Sequence, residues 1–177
     1  MRADPERQRF EALAPALIEA IRRFLIRRTD PATADDVLSE TLLVCWRRFS
    51  EMPADHLPWA YGVARLCLAN AQRSHRRQTR LAARISVLDP PATVAVSPTL
   101  ADDDLAIALA GLRAEDAEVL WLWAWEELTA GQIALTLNIS PNAASIRLHR
   151  AKQRLREELG KLDRRAGHEH TSEGRRP

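Results

Sequence analysis

The residues best suited to chemistry are cations at helical spacing. Arg147, Arg150, Lys152, Arg154 and Arg156 follow one another, with Ser145 just before them and His149 among them. On a helix laid in the major groove of a duplex, side chains near the start reach base edges, and cations farther along neutralise phosphates. Arg73, His75, Arg76, Arg77, Arg80 and Arg84 form a second cluster with no acidic residue among them. The other reactive types form no site. HExxH, a phosphate-binding glycine loop, GxSxG and paired-carboxylate patterns are all missing from the sequence, so no enzymatic activity is expected. The five histidines are scattered, and His168-Glu169-His170 falls in a polar stretch rich in Arg and Glu, so no metal or cofactor is expected. Cys45 and Cys67 sit in apolar, helix-like runs without CxxC spacing and read as small buried hydrophobes.

The elements around the first cluster are punctuated clearly. Thr129 and Gln132 have capping-box spacing and start a short helix that ends at Leu137. Asn138-Ile139-Ser140 then makes a three-residue turn, with Asn138 the non-glycine type best able to turn left-handed. Ser140 is the N-cap of the next helix and Pro141 its first residue. Ile133, Leu137, Ile139 and Ile146 are expected to form the small core between the two helices. The pattern is a helix-turn-helix. A solvated basic helix would carry the same charges without this coincidence of cap, turn and basic face.

The rest of the chain reads as helical too. Only six glycines occur and strand-like alternation is scarce, so the fold class is all-α. A first helix is expected from Pro5 to Arg28, burying Leu13, Leu17, Ile21 and Phe24. Thr29-Asp30-Pro31 breaks it, and a second starts near Thr33, where Thr33-Ala34-Asp35-Asp36 resembles a capping box, with a stripe of Leu38, Leu42, Cys45 and Phe49. Ser50 to Pro58 is a loop, and a third helix runs from Pro58 to Arg80. Residues 85–101, with Pro90, Pro91 and Pro98, read as a flexible linker. Beyond it, helices are expected over 102–110, after the acidic Asp102-Asp103-Asp104, and over 114–127. In the latter, Trp121 and Trp125 share a face and Trp123 points nearly opposite. Both faces are expected to be buried, the alternative being that one meets a partner. The expected organisation is two small helical domains, 5–84 and 102–160, with a disordered tail over 161–177.

Hydrophobic residues make up 46% of the chain, enough for a core, and net charge is only +2, so the local clusters matter more than the total. No apolar stretch approaches the roughly 20 residues of a membrane span. The opening Met1-Arg2-Ala3-Asp4-Pro5 has no apolar run of the secretory kind, so a cytoplasmic location without membrane insertion is expected.

Taken in order, these motifs resemble the extracytoplasmic-function group of RNA polymerase sigma factors. Glu127-Leu128-Thr129, Gln132-Ile133-Ala134, Leu137, Ile139-Ser140-Pro141, Arg147 to Ala151 and Leu155-Arg156 are similar to sigma region 4. Ala34 to Thr41, Trp46, Trp59-Ala60-Tyr61, Val63-Ala64-Arg65 and the arginines after Asn70 are similar to region 2. The resemblance implies a subunit that binds core RNA polymerase, places it on promoter DNA and helps separate the strands. It implies that Asp36, Ser39, Glu40 and Leu43 meet the clamp of the large polymerase subunit. Trp59, Tyr61, Asn70, Arg73, Arg76 and Arg77 would meet the −10 element. Ser145, Ile146, His149 and Arg150 would face bases of the −35 element, with Arg147 and Lys152 on phosphates. The family often has Gln where Ser39 stands, Asn where Leu66 stands, and Thr-Val where Ala143-Ala144 stand. Members are often held inactive by an anti-sigma factor, a further partner the resemblance allows.

Two other readings compete. A helix-turn-helix regulator acting without polymerase would need a ligand pocket or receiver domain, and the first 80 residues show no pattern for either. A purely protein-binding helical module would have no affinity for DNA.

Overall fold

The computed structural model describes residues 5–85 and 103–172, all helical or in short turns, with no strand among them. The chain divides into two compact units, Met1–Pro98 and Thr99–Pro177. The expected linker lies largely outside the described residues.

The first unit packs three helices against one another: α1 (Pro5–Ile26), α2 (Pro31–Arg47) and α3 (His56–Ile85). Leu17, Ile21, Phe24 and Leu25 of α1 are fully buried. They meet Ala34, Val37, Thr41 and Cys45 of α2, and Ala60, Tyr61, Ala64 and Cys67 of α3. Burying each large side chain contributes on the order of 1.5–3 kcal/mol. The helices start and stop for local reasons. Arg28 donates to the Phe24 carbonyl at 2.8 Å and lays its guanidinium 3.6 Å from the Phe24 ring, which closes α1. Asp30, not Thr33, caps α2: its carboxylate accepts from the Thr33 N–H at 3.0 Å, and Pro31 begins the helix. The stripe of α2 is also rotated from expectation. Its fully buried seam is Ala34, Val37, Thr41 and Cys45, while Leu38 and Leu42 are half-buried along the flank. A polar residue can hold this seam because the Thr41 hydroxyl donates to the Val37 carbonyl at 2.6 Å. The expected loop at 50–58 is shorter, holding one 3-10 turn, Phe49–Glu51, before α3 begins at His56.

The second unit contains α4 (Asp103–Ala110), α5 (Ala114–Ala124), α6 (Ala130–Leu137) and α7 (Pro141–Ser172). The first three all pack on α7. The tryptophans of α5 do not fill its core. Val119, Leu120 and Leu122 do, while Trp121 and Trp125 stack on each other with centroids 4.2 Å apart and Trp123 is 44% exposed. Alternation in the sequence hid this, because the buried Leu120 and Leu122 alternate with Trp121 and Trp123. A further correction concerns residues 161–172, expected to be disordered. They continue α7 as far as Ser172, since no proline interrupts the run after Pro141.

Candidate nucleic-acid interface

The helix-turn-helix forms as its punctuation requires. Thr129 and Gln132 make a complete capping box at the start of α6. The helix ends with Asn138 left-handed, φ 53° and ψ 50°. The Ile139 N–H reaches the Ala134 carbonyl at 3.0 Å and the Asn138 N–H the Leu135 carbonyl at 3.3 Å, a Schellman closure with asparagine in the usual glycine position. Ser140 caps α7, its hydroxyl accepting from the Ala143 N–H at 3.2 Å.

Successive residues of a helix turn by about 100°, and this sorts the side chains of α7. Ala144, Leu148 and Ala151 are buried and hold the helix to its unit. Asn142, Ile146, His149, Arg150 and Gln153 lie on the opposite side and are exposed. Ser145 and Arg147 are exposed at the two edges of that face. Ile146 is therefore not part of the core between the helices, as its apolar character suggested. It is 43% exposed, and Leu148 takes the inner place.

Two cations of the run do something else. Lys152 places its ammonium 3.4 Å from the centroid of the Trp123 ring, a cation–π contact that turns it toward α5 and away from the exposed face. Arg154 forms a salt bridge with Asp116, which is 8% exposed. Sequence reading missed both contacts, because residues far apart in the chain carry no periodic signal of their pairing. Together they tie α7 to α5.

In the first unit, Asp36, Ser39, Glu40 and Leu43 are all exposed and recur at spacings of three and four along one face of α2. Asp36 and Glu40 make no ion pair among the described residues, whereas the neighbouring Asp35 lies 3.7 Å from Arg22. Beside this face Trp46, 39% exposed, packs edge-on against Phe10 at 5.2 Å. On α3, Asn70, Arg73, Arg76 and Arg77 are exposed, and Arg73 donates to the Asn70 side chain at 2.5 Å. Leu66 is exposed on the same side. Trp59 is half-buried, with the Arg48 guanidinium 5.6 Å from its ring. Tyr61 departs from expectation. It is 5% exposed and its ring lies 5.2 Å from Phe24, so it serves the core and is not open to a base.

No group of three metal-ligating side chains occurs among the described residues, and His168 and His170 lie where side chains are not described. Among the described residues, no helix is long and apolar enough to cross a membrane. Burial pushes the Cys45 thiol up to about 11, helped by neighbouring Cys67, whose own thiol is raised by burial.

Fold and surface together define a class: an all-helical nucleic-acid-binding protein with a capped helix-turn-helix in its second unit. A family model described as Sigma-70, region 4 matches residues 103–155. The ECF RNA polymerase sigma factor SigL of Mycobacterium tuberculosis is 32% identical over 146 residues, covering 79% of this chain and 82% of SigL. CarQ, an RNA polymerase sigma factor of Myxococcus xanthus, is 29% identical over 167 residues, covering 90% and 94%. A relative from Xanthomonas campestris, RfaY, described as a probable RNA polymerase sigma factor, is 29% identical over 139 residues. That match takes in 73% of this chain and 35% of RfaY, so the chain spans about a third of that protein. Among solved structures, the sigma factor RpoE of Bartonella quintana, in complex with the anti-sigma factor NepR, shares the fold. Its TM-score is 0.61 at 21% identity, covering 86% of this chain and 98% of RpoE. The chain belongs to the extracytoplasmic-function RNA polymerase sigma factors.

Proposed function

We propose that the chain binds core RNA polymerase through the exposed face of α2 and carries it to promoters that it reads twice. Residues 5–84 supply the polymerase and −10 contacts, through Asp36, Ser39, Glu40 and Leu43 on α2 and Trp59, Asn70, Arg73, Arg76 and Arg77 on α3. Residues 102–160 supply the −35 contacts, through Ser145, Ile146, His149 and Arg150 on bases and Arg147 on phosphate. Strand separation begins at α3, whose exposed cations can hold an unpaired strand. The work is done by binding, in the cytoplasm, without catalysis by this chain. An anti-sigma protein that covers the face of α2 is a further proposed partner.

The observation that carries this reading is the sorting of α7: a buried apolar side, a capped N-terminus and an outward face of polar and cationic residues. A regulator acting without polymerase is disfavoured, because the likeness to sigma factors runs through both units. Run-off transcription from a genomic promoter library, with this chain added to core polymerase, tests the proposal. Transcripts from a defined promoter set are expected. A chain that binds polymerase normally yet stimulates no template would contradict it.

A further inference from the structure

Ile146 is an anomaly on the outward face of α7. The residues around it on that face, Asn142, His149, Arg150 and Gln153, are all polar or cationic. It is 43% exposed, and it lies almost opposite the buried stripe of Ala144, Leu148 and Ala151, so no packing inside its unit accounts for it. Scattered exposed apolar residues are common on protein surfaces. This one occupies a special place. It stands in the first two turns after the Ser140 cap, the part of a recognition helix that comes nearest the floor of the major groove.

The major groove displays hydrogen-bond donors and acceptors and a single kind of protruding apolar group, the C5-methyl of thymine. An isoleucine can pair with no donor or acceptor. Its branched side chain is stiff at χ1 and presents a fixed methyl surface. We infer that Ile146 is a specificity residue that selects a thymine in the −35 element by covering its C5-methyl. This rests on the reading of α7 as the −35 recognition helix. Arg150, next to Ile146 on the same face, then reads the adjoining base pair.

The test uses the full chain assembled with core polymerase. Binding is first selected on duplexes randomised upstream, and each thymine of the preferred site is then replaced by uracil, which removes only the methyl. At one position the wild-type complex is expected to lose affinity about fourfold, as burial of one methyl-sized group predicts. Ile146→Val, which keeps a branched methyl surface, should retain most of that sensitivity, and Ile146→Ala should lose it. A clear upstream preference with no uracil-sensitive position, or with equal sensitivity in Ile146→Ala, overturns the methyl contact and leaves the recognition helix standing. The absence of any upstream preference in the wild type overturns both.

Discussion

Arg147 and Arg150 are three residues apart on one helix, yet under the proposed reading of α7 they would address different parts of a duplex. Arg150 lies on the outward face with Ile146 and His149, whereas Arg147 sits at its edge toward the helix flank. Arg150→Ala should therefore cost about 1–3 kcal/mol on the preferred −35 sequence and relax preference at one base pair. Arg147→Ala should weaken all sequences alike and lower the slope of log affinity against log salt by about one. Affinity profiles of both variants on a randomised −35 library at several salt concentrations separate these outcomes. Uniform losses in both, with unchanged preference, would show that the helix is read in another register. Cys45 gives a residue-scale prediction of a different kind. With its thiol pushed up to about 11 by burial, almost none is thiolate near pH 8. Iodoacetamide should label it far more slowly in the native protein than in urea, as mass spectrometry would record. Single residues were most legible where chemistry is local. Thr129, Asn138 and Ser140 announce their caps and turn by type and spacing alone. Lys152 and Arg154 looked like more of the same basic face, because nothing local reveals Trp123 or Asp116 across the unit.

Helix ends and helix faces depend on different information. The N-cap of α2 is fixed by three consecutive residues, Thr29, Asp30 and Pro31, yet the start was expected near Thr33. Both positions offer a capping side chain, and proline settles the matter because it fits the first turn and resists later ones. The hydrogen bond from Thr33 holds the Asp30 carboxyl below the usual carboxylate range. A carboxyl with a lowered folded pKa adds stability that is fully present above the unfolded value, about 4, and is lost as pH falls through the folded value. Asp30→Ala should thus cost about 1 kcal/mol near neutral pH. The difference from wild type should shrink as pH falls through the acid range. Urea midpoints of both proteins across that range check it, and a gap that stays constant to about pH 2 would show that the charge of Asp30 is not what stabilises α2. The face of α2 was harder to read than its end. It packs against both α1 and α3, so apolar positions on two adjacent sides are covered, and the seam between them could be Leu38-Leu42 or Val37-Thr41. The second holds, because the Thr41 hydroxyl is satisfied within its own helix.

Each of the two units has its own buried residues, and each presents a different surface. Prolines 90, 91 and 98 and the helical pattern expected again from 102 are chain-local signals of a second unit, and the chain divides into two units after Pro98. It could not disclose which exposed groups are held by neighbours. Of the acidic residues on α2, Asp35 faces Arg22 across from α1, which leaves Asp36 and Glu40 as the carboxylates presented outward with Leu43 between helical turns. A partner surface that binds here should bring cations to these two and an apolar group to Leu43. Exposed ion pairs are worth about 0.2–1 kcal/mol each, and reversing a charge turns the gain into a comparable penalty. Asp36→Lys with Glu40→Lys should therefore weaken binding to core polymerase by on the order of 1–3 kcal/mol, roughly 5- to 150-fold. The effect should fall as salt rises, since both sites are open to screening. The buried seam of the first unit does not involve either residue, so the thermal midpoint of the double variant should stay close to that of the wild type. Fluorescence titration of core polymerase at low and at moderate salt measures the loss. Unchanged affinity at both salts, in a variant that melts normally, would move the polymerase contact off this face of α2.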